Sequence, residues 1–258
     1  MLPSSLRFVW RLVATGFAFA LIFGGGAIGA VTILPLLASL RLAGRGGSRE
    51  AQYAIHHFFR FYIALLRWLG LIDLEIVGAS EFAEMRGRLV IANHPTLLDV
   101  VLLMALMPRT QCIVKSELWN NRYLGGLVRI AGYIPNNLEP EALLAACRES
   151  IDHGDNLIIF PEGTRTRPGE QPHFHRGFAN IALLTAAPIQ LITITCVPLT
   201  LTKGEPWWRI PAERPRFRVL VGENLDTRHL LQERGRALAA RALVRHIESY
   251  YGQQLATG

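Results

Sequence analysis

Lysine is nearly missing from this chain of 258 residues: of its 27 basic residues only Lys115 and Lys203 are not arginine. Acidic residues number 20, which leaves a formal net charge of +7. That balance suits anionic partners, whether phospholipid head groups, phosphorylated substrates or nucleic acid, and does not choose among them. Cysteine is scarce too. Cys112, Cys147 and Cys196 are scattered, odd in number and form no C-x-x-C pair, so nothing asks for a disulfide framework, an oxidising compartment or a bound metal. Each sits among apolar neighbours, as a buried free thiol would. No G-x-S-x-G elbow is present, and no serine or cysteine is given an activating partner, which argues against a hydrolase or thioesterase working through a nucleophile. Internal repeats and low-complexity tracts are likewise missing.

Charge of either sign is absent from Leu12 to Leu40. As one helix this stretch is about 43 Å long, whereas a bilayer core is about 30 Å thick. The excess requires strong tilt or a break, and Gly24-Gly25-Gly26, Gly29 and Pro35 offer places to break. Two arrangements fit: one tilted span, or a membrane-embedded helical hairpin. A cleaved signal peptide would share Arg7 and Arg11 ahead of the apolar run, but the run continues past the plausible cleavage region. Arg7 and Arg11 on one side and Arg41, Arg45 and Arg49 on the other leave the positive-inside rule little to discriminate. A Gly- and Arg-rich connector follows over residues 42–50. Tyr53–Ile72 then reads as a second helix, rich in Phe58, Phe59, Phe61, Tyr62 and Trp68 and interrupted by His56, His57, Arg60 and Arg67, a mixture suited to an interface. His56 and His57 are adjacent on that helix and point apart, which makes them a poor metal pair.

From Leu74 onward short apolar runs alternate with helical patterns. Strands are expected at Leu74–Val77, Leu89–Ala92, Cys112–Val114, Leu157–Phe160, Ile189–Val197 and Phe217–Val221. Helices are expected at Leu97–Leu106, Leu118–Ile130, Glu141–His153, Gly177–Ala186 and His229–Tyr250. The alternation indicates an α/β fold, a mixed, largely parallel sheet flanked by helices, behind an N-terminal hydrophobic helical membrane segment. The division expected is 1–72 for the membrane-associated helices and 73–258 for a catalytic domain.

The informative segment is Val90-Ile-Ala-Asn-His-Pro-Thr-Leu-Leu-Asp99. A strand runs into His94, and Pro95 suits the first position of a following helix. His94 then falls in a strand-to-helix turn, where α/β sheets present reactive groups. Asp99 lies early in that helix and reaches back to the imidazole only if His94 is outside it. A carboxylate on one ring nitrogen fixes the tautomer and leaves the other nitrogen to take a proton. On its own this pairing is indistinguishable from a capping Asp near a surface His. A second segment, Phe160-Pro-Glu-Gly-Thr-Arg165, also follows a strand and supplies a carboxylate (Glu162), a glycine (Gly163), a hydroxyl (Thr164) and a guanidinium suited to phosphate (Arg165).

NHPTLLD and FPEGTRT together resemble the first and third motifs of the glycerolipid, or lysophospholipid, acyltransferase family. Lys115-Ser-Glu-Leu118, Leu124-Gly-Gly126 and Ala131-Gly-Tyr-Ile134 are similar to its second-motif region. Phe174-His-Arg-Gly177 resembles the stretch after the third motif, and Cys196-Val-Pro-Leu199 the short fourth motif. The resemblance covers about Leu74 to Val221. It implies direct acyl transfer, in which His94, oriented by Asp99, deprotonates a hydroxyl of a lysophospholipid-like acceptor such as 1-acyl-sn-glycerol-3-phosphate. That hydroxyl attacks the thioester of acyl-CoA or acyl-carrier protein, with no cofactor, metal or covalent acyl-enzyme. Glu162, Gly163, Thr164, Arg165, Lys115, Asn136 and Asn137 would hold substrate, and the Val197-Pro198 region would shape the acyl side.

One departure bears on the acceptor. The family's phosphatidate-making members usually end the second motif in a phosphate-gripping arginine, where this chain reads Gly132-Tyr-Ile-Pro-Asn-Asn137. An amide hydrogen-bonds a neutral group but makes no charge-assisted phosphate contact. Another lysolipid, an amino-acid lipid, a glycolipid or a specialised lipid-like metabolite is therefore an alternative acceptor. A non-catalytic membrane scaffold of the same fold is the alternative to an enzyme. His173-Phe-His175 is spaced like a metal pair on a strand but has no further ligand near in sequence, which favours a pocket rim. Trp207-Trp208 with Arg209, Arg214, Arg216 and Arg218 could stack on nucleic acid. Beside so apolar an N-terminus they read instead as lipid contacts, so the partners expected are the bilayer, a lysolipid and an acyl thioester, with no nucleic acid. The catalytic domain is expected on the cytoplasmic face of the membrane.

Overall fold

Short runs of leucine and β-branched residues become strands wherever Gly, Pro or polar residues bound them, and longer amphipathic runs become the helices between. The computed structural model describes residues 4–42, 47–122, 124–166, 173–228 and 235–256. In chain order its elements are α1 (Ser4–Leu42), α2 (Ser48–Trp68), β1 (Asp73–Val77), α3 (Ala79–Glu84), β2 (Leu89–Ala92), α4 (Asp99–Leu106), β3 (Thr110–Val114), α5 (Ser116–Trp119), α6 (Gly125–Ile130) and β4 (Ile134–Pro135). They continue with α7 (Pro140–Asp152), β5 (Asn156–Ile159), α8 (Gly177–Thr185), β6 (Ile189–Val197), β7 (Arg216–Leu225) and α9 (Arg236–Ala256).

The strands form one sheet in the order β1-β7-β6-β2-β5-β3-β4. Only the β6–β7 pair is antiparallel. The central strand β2, Leu-Val-Ile-Ala, is buried on both faces, which is why it shows no polar alternation. On one face Val90, Ala92, Ile158, Ile194, Phe217 and Val219 pack with Tyr62 and Leu66 of α2 and Leu102 and Leu103 of α4. On the other, Leu89, Ile91, Leu157 and Leu191 meet Phe178 of α8, Cys147 of α7, and Leu243 and Tyr251 of α9. The three cysteines are free and buried, and burial pushes Cys112 and Cys196 up to about 12 and Cys147 up to about 11.

The amino-terminal run is one unbroken helix of 39 residues, not a hairpin: neither its glycines nor Pro35 interrupts α1. Its length is about 58 Å at the ordinary α-helical rise. The Ser5–Gly24 stretch is long and apolar enough to cross a membrane, by length and composition. One side of this stretch is tied to the domain. Trp10 Nε1 donates to Leu69 O at 3.0 Å, and the Arg11 guanidinium donates to Ala212 O and Glu213 O at 2.8 and 3.0 Å. Tyr62 donates to Ala18 O, and Trp207 packs against Gly16 and Phe19. The opposite side, Leu6, Val9, Val13 and Phe17, is just as apolar yet exposed. Helix α1 also contacts α6.

Several boundaries differ from expectation: α2 ends at Trp68, β7 runs on to Leu225 and the last helix to Ala256, and three further differences have a local physical reason. The helix expected over Leu118–Ile130 is two helices, because the Asn121 side chain takes the Leu124 N–H at 3.0 Å and folds a turn. There Trp119 O lies only 2.5 Å from where a Cβ on Gly125 would sit. Pro95 does not open α4: it lies in the preceding turn, and α4 begins at Asp99. The second helix starts five residues earlier than expected, at Ser48, where Glu50 Oε2 accepts the Gly47 N–H at 2.7 Å. Part of the expected connector, residues 43–46, and the beginning of the last expected helix, residues 229–234, lie outside the described residues. The two-residue strand β4 and the short helix α3 carry too little periodicity to stand out in sequence.

Candidate active site

Strands β6, β2, β5, β3 and β4 run parallel, so their carboxyl ends share one edge of the sheet. Such edges are where open α/β sheets bind ligands. The end of β2 is fixed by Asn93, whose side chain donates to Ile194 O at 2.8 Å and accepts the Ile194 N–H at 2.7 Å. His94 follows, outside the helix. The chain then turns sharply, because Asp99 accepts both the Thr96 N–H at 2.7 Å and the Thr96 hydroxyl at 2.6 Å.

That turn carries the Asp99 carboxylate back to the imidazole, with Oδ2 2.8 Å from His94 Nδ1. Asp99 is wholly buried, whereas the His94 side chain keeps 18% of its surface exposed. Burial pushes the Asp99 carboxyl above the usual carboxylate range, while His94 and the two Thr96 donors pull the other way. An ionised carboxylate only accepts, so Nδ1 carries the proton and Nε2 is left with its lone pair. Phe160 stacks on the ring, its centroid 4.2 Å away and its plane inclined by 23°.

The segment after β5 grips the same histidine through its main chain. Glu162 Oε1 accepts the His94 N–H at 2.9 Å, and its Oε2 accepts the Thr166 hydroxyl. Thr166 N–H donates to His94 O at 3.1 Å. Glu162 is 5% exposed, and burial pushes its carboxyl up against the pull of Thr166 and His94. Gly163 sits at φ +66° with the His175 ring beside it. Thr164 is exposed. Arg165 Nη1 donates to Leu201 O and Thr202 O at 2.8 and 3.0 Å, joining this segment to the loop after β6.

The structure therefore gathers His94, Asp99, Glu162, Gly163 and Arg165 at the ends of β2 and β5. Lys115, Asn136 and Asn137 lie on the same edge but at its far end, just past the carboxyl ends of β3 and β4. From β2 to β4 is three strand spacings, roughly 14 Å. All three side chains are exposed, and Asn136 Oδ1 accepts the Ser116 N–H at 3.1 Å. His173 and His175 lie in a loop rather than on a strand, their rings edge to face at 5.6 Å. Among the described residues no group of three or more His, Cys, Asp or Glu comes together as a metal site. Sequence reading missed Asn93, Thr96, Phe160 and Thr166 as parts of the site. Thr96 stands three residues before the aspartate and the last two bound the FPEGTR segment, so position beside a motif was the available signal.

Residues 73–201, half of the chain, match the Acyltransferase family model. The chain belongs to the acyltransferase family. Its relatives include 1-acyl-sn-glycerol-3-phosphate acyltransferases from Cocos nucifera, 34% identical over 59% of this chain and 48% of that protein, and from Helicobacter pylori, 35% identical over 39% and 43%. A human relative, 1-acyl-sn-glycerol-3-phosphate acyltransferase alpha, is 27% identical over 65% of this chain and 60% of that one. The chain thus spans about half the length of the first curated relatives it matches. The crystal structure of the 1-acyl-sn-glycerophosphate acyltransferase PlsC from Thermotoga maritima superposes with a TM-score of 0.69 over 99% of both chains at 19% identity. At that identity it establishes the shared acyltransferase fold, including the mixed sheet described above.

Proposed function

We propose that this protein moves a fatty-acyl group from an acyl thioester to a hydroxyl of a lysophospholipid-like acceptor, in phospholipid biosynthesis. The observation that carries the reading is the His94–Asp99 pair, a 2.8 Å contact from an imidazole at the active edge to a carboxylate with no exposed surface. His94 Nε2 takes the proton of the acceptor hydroxyl as its oxygen attacks the thioester carbonyl. The carbon–sulfur bond then breaks, and the proton passes from Nε2 to the departing thiolate. Asp99 holds the tautomer and stabilises the imidazolium formed between these steps. A positioned base of this kind contributes roughly 10²–10⁴-fold.

Substrate placement follows from the edge. Lys115 and Arg165 supply positive charge for an anionic head group, and Gly163 and Thr164 follow Glu162 on the exposed surface of the same segment. The relatives' names support 1-acyl-sn-glycerol-3-phosphate as acceptor. Asparagines at 136 and 137, one of them engaged with Ser116, support a less highly charged head group instead. The donor is acyl-CoA or acyl-carrier protein.

The exposed apolar side of α1, with Tyr53, Phe61 and Trp68 of α2 and Trp208, supports attachment to a bilayer. The catalytic domain faces the cytoplasm, where acyl thioesters are made; protection of the domain from protease in inside-out vesicles would contradict this. Mass identification of products from the purified chain, offered acyl-CoA or acyl-carrier protein with a panel of lysolipids, tests the function. An acylated lysolipid is expected. Free fatty acid alone, or no product with any pair, overturns the reading.

A further inference from the structure

Thr166 and Glu162 do more than border the site: they close a ring of hydrogen bonds around the backbone of His94. The main-chain N–H of His94 goes to Glu162 Oε1 at 2.9 Å, the second oxygen of the same carboxylate takes the Thr166 hydroxyl, and the Thr166 N–H returns to His94 O at 3.1 Å. With Asp99 on Nδ1 and Phe160 on the ring face, the imidazole is held by its backbone, one nitrogen and its π-surface. Its remaining nitrogen, Nε2, is the one the reaction uses.

Both oxygens of Glu162 are thereby engaged inside the protein, and the residue is 5% exposed. A carboxylate so placed has little left to offer a substrate hydroxyl. Resting on the acyl-transfer reading, we propose that Thr166 and Glu162 are positioning residues. They set the height and angle of the His94 backbone so that Nε2 meets the acceptor hydroxyl, and they do not contact the acceptor.

The chemistry separates this role from binding. A residue that holds substrate in ground and transition states alike moves KM when removed. One that aims the base moves kcat, since misplacement by about an ångström costs on the order of 100-fold. Thr166→Val keeps the size and β-branching of threonine but leaves the buried Glu162 Oε2 without its donor. Thr166→Ser keeps the hydroxyl.

The test measures kcat and KM for donor and acceptor on the purified full chain with acyl-CoA and lysophosphatidate, or with the best acceptor of the lysolipid panel. Thermal unfolding of each variant confirms the folded fraction. Thr166→Val is expected to lower kcat about 10- to 100-fold and to leave both KM values within about twofold. Thr166→Ser is expected to restore kcat to within roughly threefold of wild type, because the hydroxyl is the group that matters. Where Thr166→Val does not fold, Glu162→Asp takes its place: the shorter carboxylate cannot span His94 N and Thr166 Oγ together, and the same fall in kcat at steady KM is expected. Unchanged kcat, a rise in acceptor KM at constant kcat, or failure of serine to rescue overturns the positioning role. Inactive wild-type protein would instead overturn the acyl-transfer reading on which it rests.

Discussion

At the β2 end of the active edge, Asp99, Glu162 and both main-chain groups of His94 are engaged inside the protein, and Asp99 has no exposed surface. At the β4 end, Lys115, Asn136 and Asn137 are exposed in the turns that follow β3 and β4, and Asn136 Oδ1 accepts a neighbouring backbone N–H. The difference separates two tasks. A base must be aimed to within a fraction of an ångström, so its supports are buried and mutually bonded. A head-group site meets its ligand at the surface, where a single substitution changes charge without disturbing the core. On the proposed function, chemistry is fixed at one end of this edge and acceptor choice is adjustable at the other.

The sharpest way to break that contrast is Asp99→Asn. An asparagine can still accept from Thr96, but its amide turned toward His94 donates to Nδ1 and drives the imidazole proton onto Nε2, the nitrogen required as base. A fall in kcat of roughly 10²–10⁴-fold is expected, checked by initial rates on folded protein. At the other end, Asn136→Arg or Asn137→Arg should raise kcat/KM for lysophosphatidate about tenfold, the worth of one charge-assisted contact, and leave kcat nearly untouched. Efficient use of lysophosphatidate by wild type, unimproved by either change, would show that the clamp lies elsewhere, for instance at Arg165 or Arg129.

The smallest effect concerns stability. Burial raises the Glu162 carboxyl above its usual range, so the fold favours the protonated form. The stability tied to that preference is present below the ordinary carboxylate pKa and is lost as pH rises through the raised folded value. Glu162→Gln mimics the neutral form at every pH. Its Tm should therefore exceed that of wild type modestly at neutral pH and converge with it in acid. A lower Tm at neutral pH would mean that the ionised carboxylate is what the His94 N–H and the Thr166 hydroxyl prefer.

Much of this was legible in the residues. Short apolar runs placed β2 at Leu89–Ala92 and β6 at Ile189–Val197 to the residue: β2, buried between two parallel neighbours, is continuously hydrophobic, and β6, antiparallel to β7 on one side, is rich in β-branched residues with Gln190, Thr193 and Thr195 interspersed. The His94–Asp99 pairing was legible from a five-residue spacing once the histidine was put outside the helix. The roles around it were harder to see. Glu162 reads as a ligand group in sequence, and only the fold shows both its oxygens turned toward residues 68 positions upstream and four downstream. Thr166 gave only its position at the end of FPEGTRT, since its N–H partner is set by the meeting of two strand ends. The split between α5 and α6 was hidden because Asn121 caps a turn within an otherwise helical pattern. Membrane apposition was visible as an uncharged run, but α1 being continuous and bonded along one side depends on Trp10, Arg11 and Gly16 meeting partners far away in sequence.

Acyl transfer through His94 is tested most directly by following the acylated lysolipid, by mass, from matched amounts of folded wild-type and His94→Ala protein with acyl thioester and acceptor. Loss of roughly 10²–10⁴-fold in kcat, at unchanged Tm and with no acyl group retained on either protein, is the predicted result. Near-normal turnover by His94→Ala, or an acylated enzyme accumulating during turnover, would contradict it.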